Sequence, residues 1–302
     1  MLPLRDDVKT PDYNSGPALK AFLQERGFAF RKRWGQNFLI NPSARGAIAA
    51  KLDFAPNDAV WEIGPGLGSM TVELFKNNAR VSAFEVDAGF CSIIRELFQA
   101  EIAGKKLQLI QGDVRKTWKE QPAAPYLLGN LPYTIALLLL GNFIESGVFF
   151  KRMVVTVQKE AAERITSRPG DKNYSAISLL CSLAYTAKIF MTLKGASFYP
   201  APRVDSACVC LDLLEKPLAV PPRFFTLVRS LFAARRKTLR NNLEYFLSHS
   251  AILKGGGNIK DAMQAALDGC RIAGNRRAET LGPFEAASLA RELERYFEWN
   301  GL

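Results

Sequence analysis

Between residues 58 and 158 short apolar runs alternate with stretches of helical spacing, and no other feature restricts the fold as much. Residues 58–64 (DAVWEIG) read as a strand, 69–78 as a helix, 80–87 (RVSAFEVD) as a strand and 88–99 as a helix. Strands at 106–113 and 125–130, a helix at 134–146 and a strand at 152–158 continue the series. Strands separated by helices of about ten residues predict a mostly parallel, doubly wound α/β sheet with helices on both faces. Helical stretches at 161–167 and 174–186 follow. The strands at 188–193 and 206–214 then close the pattern, placed to pair antiparallel at a sheet edge.

After Lys216 and Pro217 the character changes. Residues 224–247, 258–270 and 283–297 all have helical spacing with no strand between them. With 302 residues, 48% of them hydrophobic, the chain can bury two cores. The expected organisation is an N-terminal arm (1–24, poorly ordered over residues 1–19), an α/β domain (25–214) and a small all-α domain (215–302), with the boundary near residues 214–221.

The arrangement places ligands where strands end. Trp61-Glu62-Ile63-Gly64-Pro65-Gly66-Leu67-Gly68 closes one strand and opens a helix, which is the ligand position in open α/β sheets. Ser69 stands where a dinucleotide fingerprint needs its third glycine, and GxxxxGK[ST] is absent, so pyrophosphate and P-loop chemistry are disfavoured. Three acceptors follow at strand ends: Glu85, Asp113 and Asn130. Glu85 lies 21 residues after Gly64, the spacing at which a carboxylate grips ribose hydroxyls. Asp113 is placed to accept from an adenine amine. Singly, each acid reads as a helix cap. Together they describe a ligand with a ribose, an adenine and a charged tail without phosphate, and S-adenosylmethionine fits.

Leu128–Tyr133 (LGNLPY) interrupts two apolar runs with an amide and a proline. An aromatic exocyclic amine is a poor nucleophile because its lone pair is delocalised into the ring. Two acceptors holding its hydrogens favour the pyramidal, attacking form, and Asn130 Oδ1 and the Leu131 carbonyl can supply them, with Pro132 stiffening the turn. Tyr133 can stack on the base. Phe198, in FYPAPRVDS, can close over its other face, although a packed-core role competes for that ring.

Charge and cysteine content narrow the partners. Lys plus Arg number 40 against 29 Asp plus Glu, a net charge of +11 that suits a polyanion. Five scattered cysteines without a CxxC pair argue against zinc and disulfides and fit a reducing compartment. The single histidine, His249, reads as a surface or boundary residue. No run reaches the roughly 20 apolar residues of a membrane span, and the N-terminus lacks a signal-peptide pattern, so a cytoplasmic protein is expected.

RKRWGQNFLINP, EIGPGLGSMT, FEVD, QGDV, GNLPY, FYPAPRVDS, FAARRKTLRNNL and RRAETLGPFEAASLA occur in the order found in the ribosomal RNA adenine dimethyltransferases. The chain resembles the bacterial small-subunit members most, from about residue 31 to near its end. The resemblance implies a class I, Rossmann-like methyltransferase domain with a helical RNA- and ribosome-binding domain. It implies transfer of two methyl groups from S-adenosylmethionine to each of two adjacent adenines, in a hairpin near the 3′ end of 16S rRNA. It also implies cofactor contacts from Asn37, Leu39, Gly64, Glu85, Asp113 and Asn130, and action on the small subunit or its precursor; Gly66 of the glycine turn is expected to join these contacts, and a monomer without a metal is expected. Arg31, Lys32 and Arg33, and Arg235, Arg236, Lys237 and Arg240, then become phosphate contacts. Trp34 departs from the more usual aliphatic residue or Phe, and the leader before Arg31 varies in the family and receives no role. Rival readings are a 23S rRNA adenine methyltransferase of the macrolide-resistance type and a non-catalytic RNA-binding or transcription-factor relative. A DNA adenine methyltransferase is less favoured, since the short tail leaves little room for a sequence-reading domain.

Overall fold

The computed structural model describes residues 10–28, 37–131, 135–254 and 256–299. In chain order, α1 (Gly16–Glu25) precedes the two-residue strand β1 (Phe38–Leu39) and α2 (Pro42–Leu52). Then come β2 (Ala59–Ile63), α3 (Ser69–Lys76), β3 (Arg80–Glu85), α4 (Ala88–Leu97), α5 (Gln99–Ala103), β4 (Leu107–Gln111) and α6 (Val114–Thr117). They are followed by β5 (Tyr126–Asn130), α7 (Ala136–Glu145), β6 (Arg152–Gln158), α8 (Lys159–Thr166), α9 (Ala176–Ala184), β7 (Tyr185–Leu193), β8 (Phe198–Tyr199) and β9 (Ser206–Leu213). The remainder is α10 (Phe224–Ala233), α11 (Leu239–Ser250), β10 (Ala251–Leu253), α12 (Ile259–Gly269), α13 (Pro283–Tyr296) and β11 (Phe297–Trp299).

The chain forms two compact units. The first takes the described residues up to Leu139, with Val148–Ala162 and Ala187–Leu213. Its seven-stranded sheet has the order β4-β3-β2-β5-β6-β9-β7. The five strands β4 to β6 are parallel, and β9 runs antiparallel to β6, as the strand-helix alternation predicts. Val60 to Ile63 and Met153 to Val157 are buried along their whole lengths, because helices cover both faces of a parallel sheet. The Trp61 ring packs edge-on against Phe84 (5.0 Å) and Phe150 (5.4 Å). Strand order reverses between β2 and β5, the switch point beside which open α/β sheets bind ligands.

The arm expected over residues 1–24 is corrected from residue 16 onward. Ser15 caps α1 by accepting from Ala18 N–H, and Leu19, Phe22 and Leu23 are buried in the same apolar cluster as the sheet. Apolar residues at this 3–4 spacing need a surface to cover, and they find one.

The second unit takes Leu140–Gly147, Glu163–Thr186 and the described residues from Leu214 onward. Its final boundary falls where composition changes, but the two earlier segments were expected in the α/β domain. Contacts with distant residues hold one of them. The Tyr174 hydroxyl donates to the Leu281 carbonyl (2.9 Å), and Gly170 N–H donates to the Glu279 carbonyl (2.8 Å). The continuous helix expected over 224–247 is two helices. Thr238 caps α11 by accepting from Asn241 N–H, while the buried Asn242 amide donates to the Leu231 and Ala234 carbonyls at the end of α10. The unit is also not wholly helical: β10 and β11 pair antiparallel, from Ala251 against Trp299 to Leu253 against Phe297.

Candidate active site

The glycine turn after β2 is held open by backbone geometry. Gly64, Gly66 and Gly68 have φ of 72°, 57° and 85°, a region that side chains disfavour. A Cβ on Gly66 would come within 3.0 Å of the Phe38 ring, and one on Gly68 within 2.4 Å of the Phe98 ring. Gly68 N–H closes the turn on the Pro65 carbonyl (2.8 Å). The chain here approaches its neighbours as only glycine can, and α3 begins at once.

Glu85, 6% exposed at the end of β3, reaches across to this turn. Its Oε2 accepts from Gly66 N–H (3.1 Å) and its Oε1 from Asp87 N–H (2.9 Å). Burial raises its pKa, while the bonds from Asp87 and Gly66 hold it down. Each oxygen keeps further acceptor capacity, so the carboxylate can still receive hydroxyl donors. Asp87 caps α4 through Gly89 N–H (2.8 Å).

Asp113 follows β4, tied to β3 through Gly112 N–H donating to the Glu85 carbonyl (2.8 Å). Its carboxylate caps α6 and is gripped by the Arg115 guanidinium, with Nε 3.0 Å from both oxygens. That contact lowers its pKa. The carboxylate is thus engaged by its own neighbour, a partner the spacing of the motif did not reveal.

At the end of β5 the Asn130 side chain turns toward the chain before β1. Its Nδ2 donates to the Asn37 carbonyl at 2.9 Å, leaving Oδ1 as the acceptor end of the amide. Leu131 N–H donates to the Thr156 carbonyl (3.0 Å), which fixes the turn on β6. A Cβ on Gly129 would meet Leu131 Cδ2 at 2.6 Å, so the buried Leu131 side chain folds back over its own strand. Pro132 and Tyr133 lie outside the described residues, as do Arg31, Lys32 and Arg33.

β1 and β8 pair antiparallel, setting Leu39 opposite Phe198 and Phe38 opposite Tyr199. Phe198 is 2% exposed within the apolar cluster that includes Phe38 and Leu39, which is the packed position that competed with base stacking. Asn37, Leu39, Gly64, Gly66, Glu85 and Asn130 therefore converge around the ends of β2, β3 and β5, with Asp113 one strand further. Two buried groups beside them went unassigned from sequence. Glu62, 1% exposed on β2, accepts from Thr71 Oγ1 (2.7 Å); an acid inside a buried strand was its signal. Arg45, 4% exposed in α2, was signalled by a charge among alanines.

The basic residues of the second unit divide. Arg235 pairs with Glu279 (3.2 Å) and donates to the Lys172 carbonyl (2.9 Å), and Arg240 donates to Gln264 Oε1 (2.7 Å). Arg236 and Lys237 are exposed and make no side-chain hydrogen bond or ion pair among the described residues.

A family profile described as ribosomal RNA adenine dimethylase matches residues 27–273. The chain belongs to the ribosomal RNA adenine dimethylase family. The ribosomal RNA small subunit methyltransferase A of Treponema denticola is 41% identical over 290 residues, 92% of this chain and 94% of that protein. The crystal structure of a dimethyladenosine transferase from Plasmodium falciparum matches with a TM-score of 0.72 at 26% identity, covering 85% of this chain and 98% of that one. The 23S rRNA methyltransferase ErmE shares the fold, with a TM-score of 0.60 at 22% identity over 85% of this chain and 100% of that chain. In this dimethylase the glycine turn, Glu85 and Asn130 all lie at the ends of adjacent parallel strands.

Proposed function

We propose that the protein is an S-adenosylmethionine-dependent rRNA adenine-N6,N6-dimethyltransferase. Its substrate is the small ribosomal subunit or a precursor of it, and it methylates twice each of two adjacent adenines in a hairpin near the 3′ end of 16S rRNA. The observation that carries this reading is the Asn130 amide, whose amino end is spent on the Asn37 carbonyl so that its oxygen remains to accept.

Bound S-adenosylmethionine supplies an electrophilic methyl group on a sulfonium. Glu85 receives the ribose hydroxyls, and the bare backbone of Gly64 and Gly66 admits the ligand close to the chain. Asp113 is assigned to the adenine end, with Arg115 holding its carboxylate. Asn37 and Leu39 would complete the contacts to the donor. Asn130 Oδ1 and the Leu131 carbonyl are assigned to the two hydrogens of the target amine, and the Leu131 N–H bond to Thr156 anchors the peptide that precedes that carbonyl. Tyr133 is assigned to stack on the target base, whereas Phe198, buried opposite Leu39, serves as packing for β1 rather than as a second face for the base. No proton need leave before attack, so the site works by positioning and by polarising the amine.

Arg31, Lys32, Arg33, Arg236 and Lys237 are proposed as phosphate contacts, with Arg235 and Arg240 serving the second unit's own structure as well. The enzyme is proposed to act as a cytoplasmic monomer in ribosome biogenesis, without a metal. Tritiated S-adenosylmethionine supplied with unmethylated small subunits, large subunits and duplex DNA is expected to label small subunits alone. Label in large subunits would favour the macrolide-resistance type instead. Asn130→Ala is expected to lower methylation at least about 100-fold while thermal unfolding shifts only by the loss of one hydrogen bond, about 1 kcal/mol. A variant that unfolds would make Asn130 a structural turn residue.

A further inference from the structure

Residues 13–28, almost all of them before the family match begins at residue 27, are fastened across the ligand-binding end of the first unit. The Tyr13 hydroxyl donates to the Leu67 carbonyl in the glycine turn (2.8 Å). Gly16 lies against the Tyr199 ring, where a Cβ would come within 2.4 Å of Cδ2. Arg26 pairs with Glu96 on α4 (2.7 Å), and its guanidinium lies 3.9 Å from the centre of the Phe22 ring. Phe28 packs onto Gly89 in the first turn of α4, where a Cβ would come within 2.4 Å of its ring. The segment thus forms a strap running from the β8 residues to the helix that follows Glu85.

The buried Arg45 guanidinium binds the strap from beneath. Its Nη1 donates to the carbonyls of Tyr13 (3.0 Å) and Leu39 (2.9 Å), its Nη2 donates to Asn14 Oδ1 (2.6 Å), and its Nε lies 3.8 Å from Glu73 Oε1. A buried cation is costly unless its donors are satisfied; here Nη1 and Nη2 find acceptors in the strap and β1, while Nε has only the Glu73 carboxylate beyond hydrogen-bond distance.

The two carbonyls reached in this way, Leu39 and Leu67, belong to peptide units that also donate. Ile40 N–H donates to the Ser197 carbonyl (2.9 Å) and Gly68 N–H to the Pro65 carbonyl (2.8 Å). A planar peptide bonded on both sides cannot rotate freely. Arg45 and Tyr13 supply the second bond in each case. We propose that Tyr13 and Arg45 are positioning residues for the methyl donor, preorganising β1 and the glycine turn through the strap. The inference rests on the cofactor reading above. Rigidity of this kind raises affinity by removing the ordering cost of binding.

The test uses the full chain carrying Tyr13→Phe, Arg45→Lys or Arg45→Met. Calorimetry gives the Kd for S-adenosylmethionine, and turnover on small subunits gives KM for the donor and kcat at saturating donor. Tyr13→Phe is expected to raise Kd and KM about three- to tenfold while kcat and small-subunit affinity keep their wild-type values. Arg45→Met is expected to have a larger effect, with Arg45→Lys in between. If Arg45→Met does not fold, Tyr13→Phe decides, since it removes a single hydroxyl. Wild-type donor affinity in Tyr13→Phe, or a fall in kcat at unchanged KM, would overturn the inference and leave the strap as packing alone. A wild-type protein that binds no S-adenosylmethionine would instead overturn the cofactor reading itself.

Discussion

Glu62 sits on the central strand of the sheet with its carboxyl shielded from water and a hydroxyl from Thr71 as its hydrogen-bond partner. Burial pushes its pKa up to about 7; the Thr71 bond opposes the shift and the nearby Glu85 adds to it. The sign for stability follows. Below the ordinary value of 4.5 both folded and unfolded chains hold the proton. Between 4.5 and about 7 the unfolded chain releases it and the folded chain keeps it, so stability falls as pH rises through this window and levels off above it. Urea unfolding of the wild type is therefore expected to report roughly 3 kcal/mol less stability at pH 8 than at pH 4.5 from this group. Glu62→Gln should remove that part of the slope and gain on the wild type as pH rises. An unchanged slope would show that Glu62 is ionised in the folded chain.

Among the elements, the break between α10 and α11 depends on one amide. Asn242 is 5% exposed and donates to two carbonyls that end α10. Asn242→Ala is expected to cost about 1–3 kcal/mol in urea unfolding, because both carbonyls lose a donor, with S-adenosylmethionine affinity unchanged. This break was hidden in the sequence, since Ala233 to Lys237 keep helical spacing and only Thr238, an N-cap type, marks the restart. The parallel strands were legible for the opposite reason: their apolar runs are uninterrupted and their ends carry glycine or an acceptor. Glu85 and Asn130 could be placed at strand ends by counting. Their partners could not, because Gly66, Asn37 and Thr156 meet them only through the sheet. Likewise α9 groups with the second unit, because Tyr174 just before it finds its acceptor 107 residues away.

For the molecule as a whole, the surplus of cations acquires a division of labour. Arg236 and Lys237 are exposed, whereas Arg235 is tied to Glu279 and to the Lys172 carbonyl. Replacing Arg236 and Lys237 with Ala is expected to flatten the dependence of log K on log salt, by about 0.7–0.9 for each lost phosphate contact, in filter binding to small subunits. Arg235→Ala should show up first as lost stability. Identical salt slopes would make the pair a solvated surface. The sheet order, with β9 between β6 and β7, also bears on how the protein is made. While a ribosome is still adding the 47 residues 159–205, β6 is complete and its future partner does not yet exist. At about 5–20 residues per second this lasts roughly two to ten seconds. Throughout, the nascent chain exposes an unpaired edge of Met153, Val154, Val155 and Val157, a template for any other unfolded strand. A chain stopped at Asp205 is expected to collect in the insoluble fraction or on a holding chaperone. An enzyme that modifies ribosomal RNA would itself depend on protection as it leaves a ribosome.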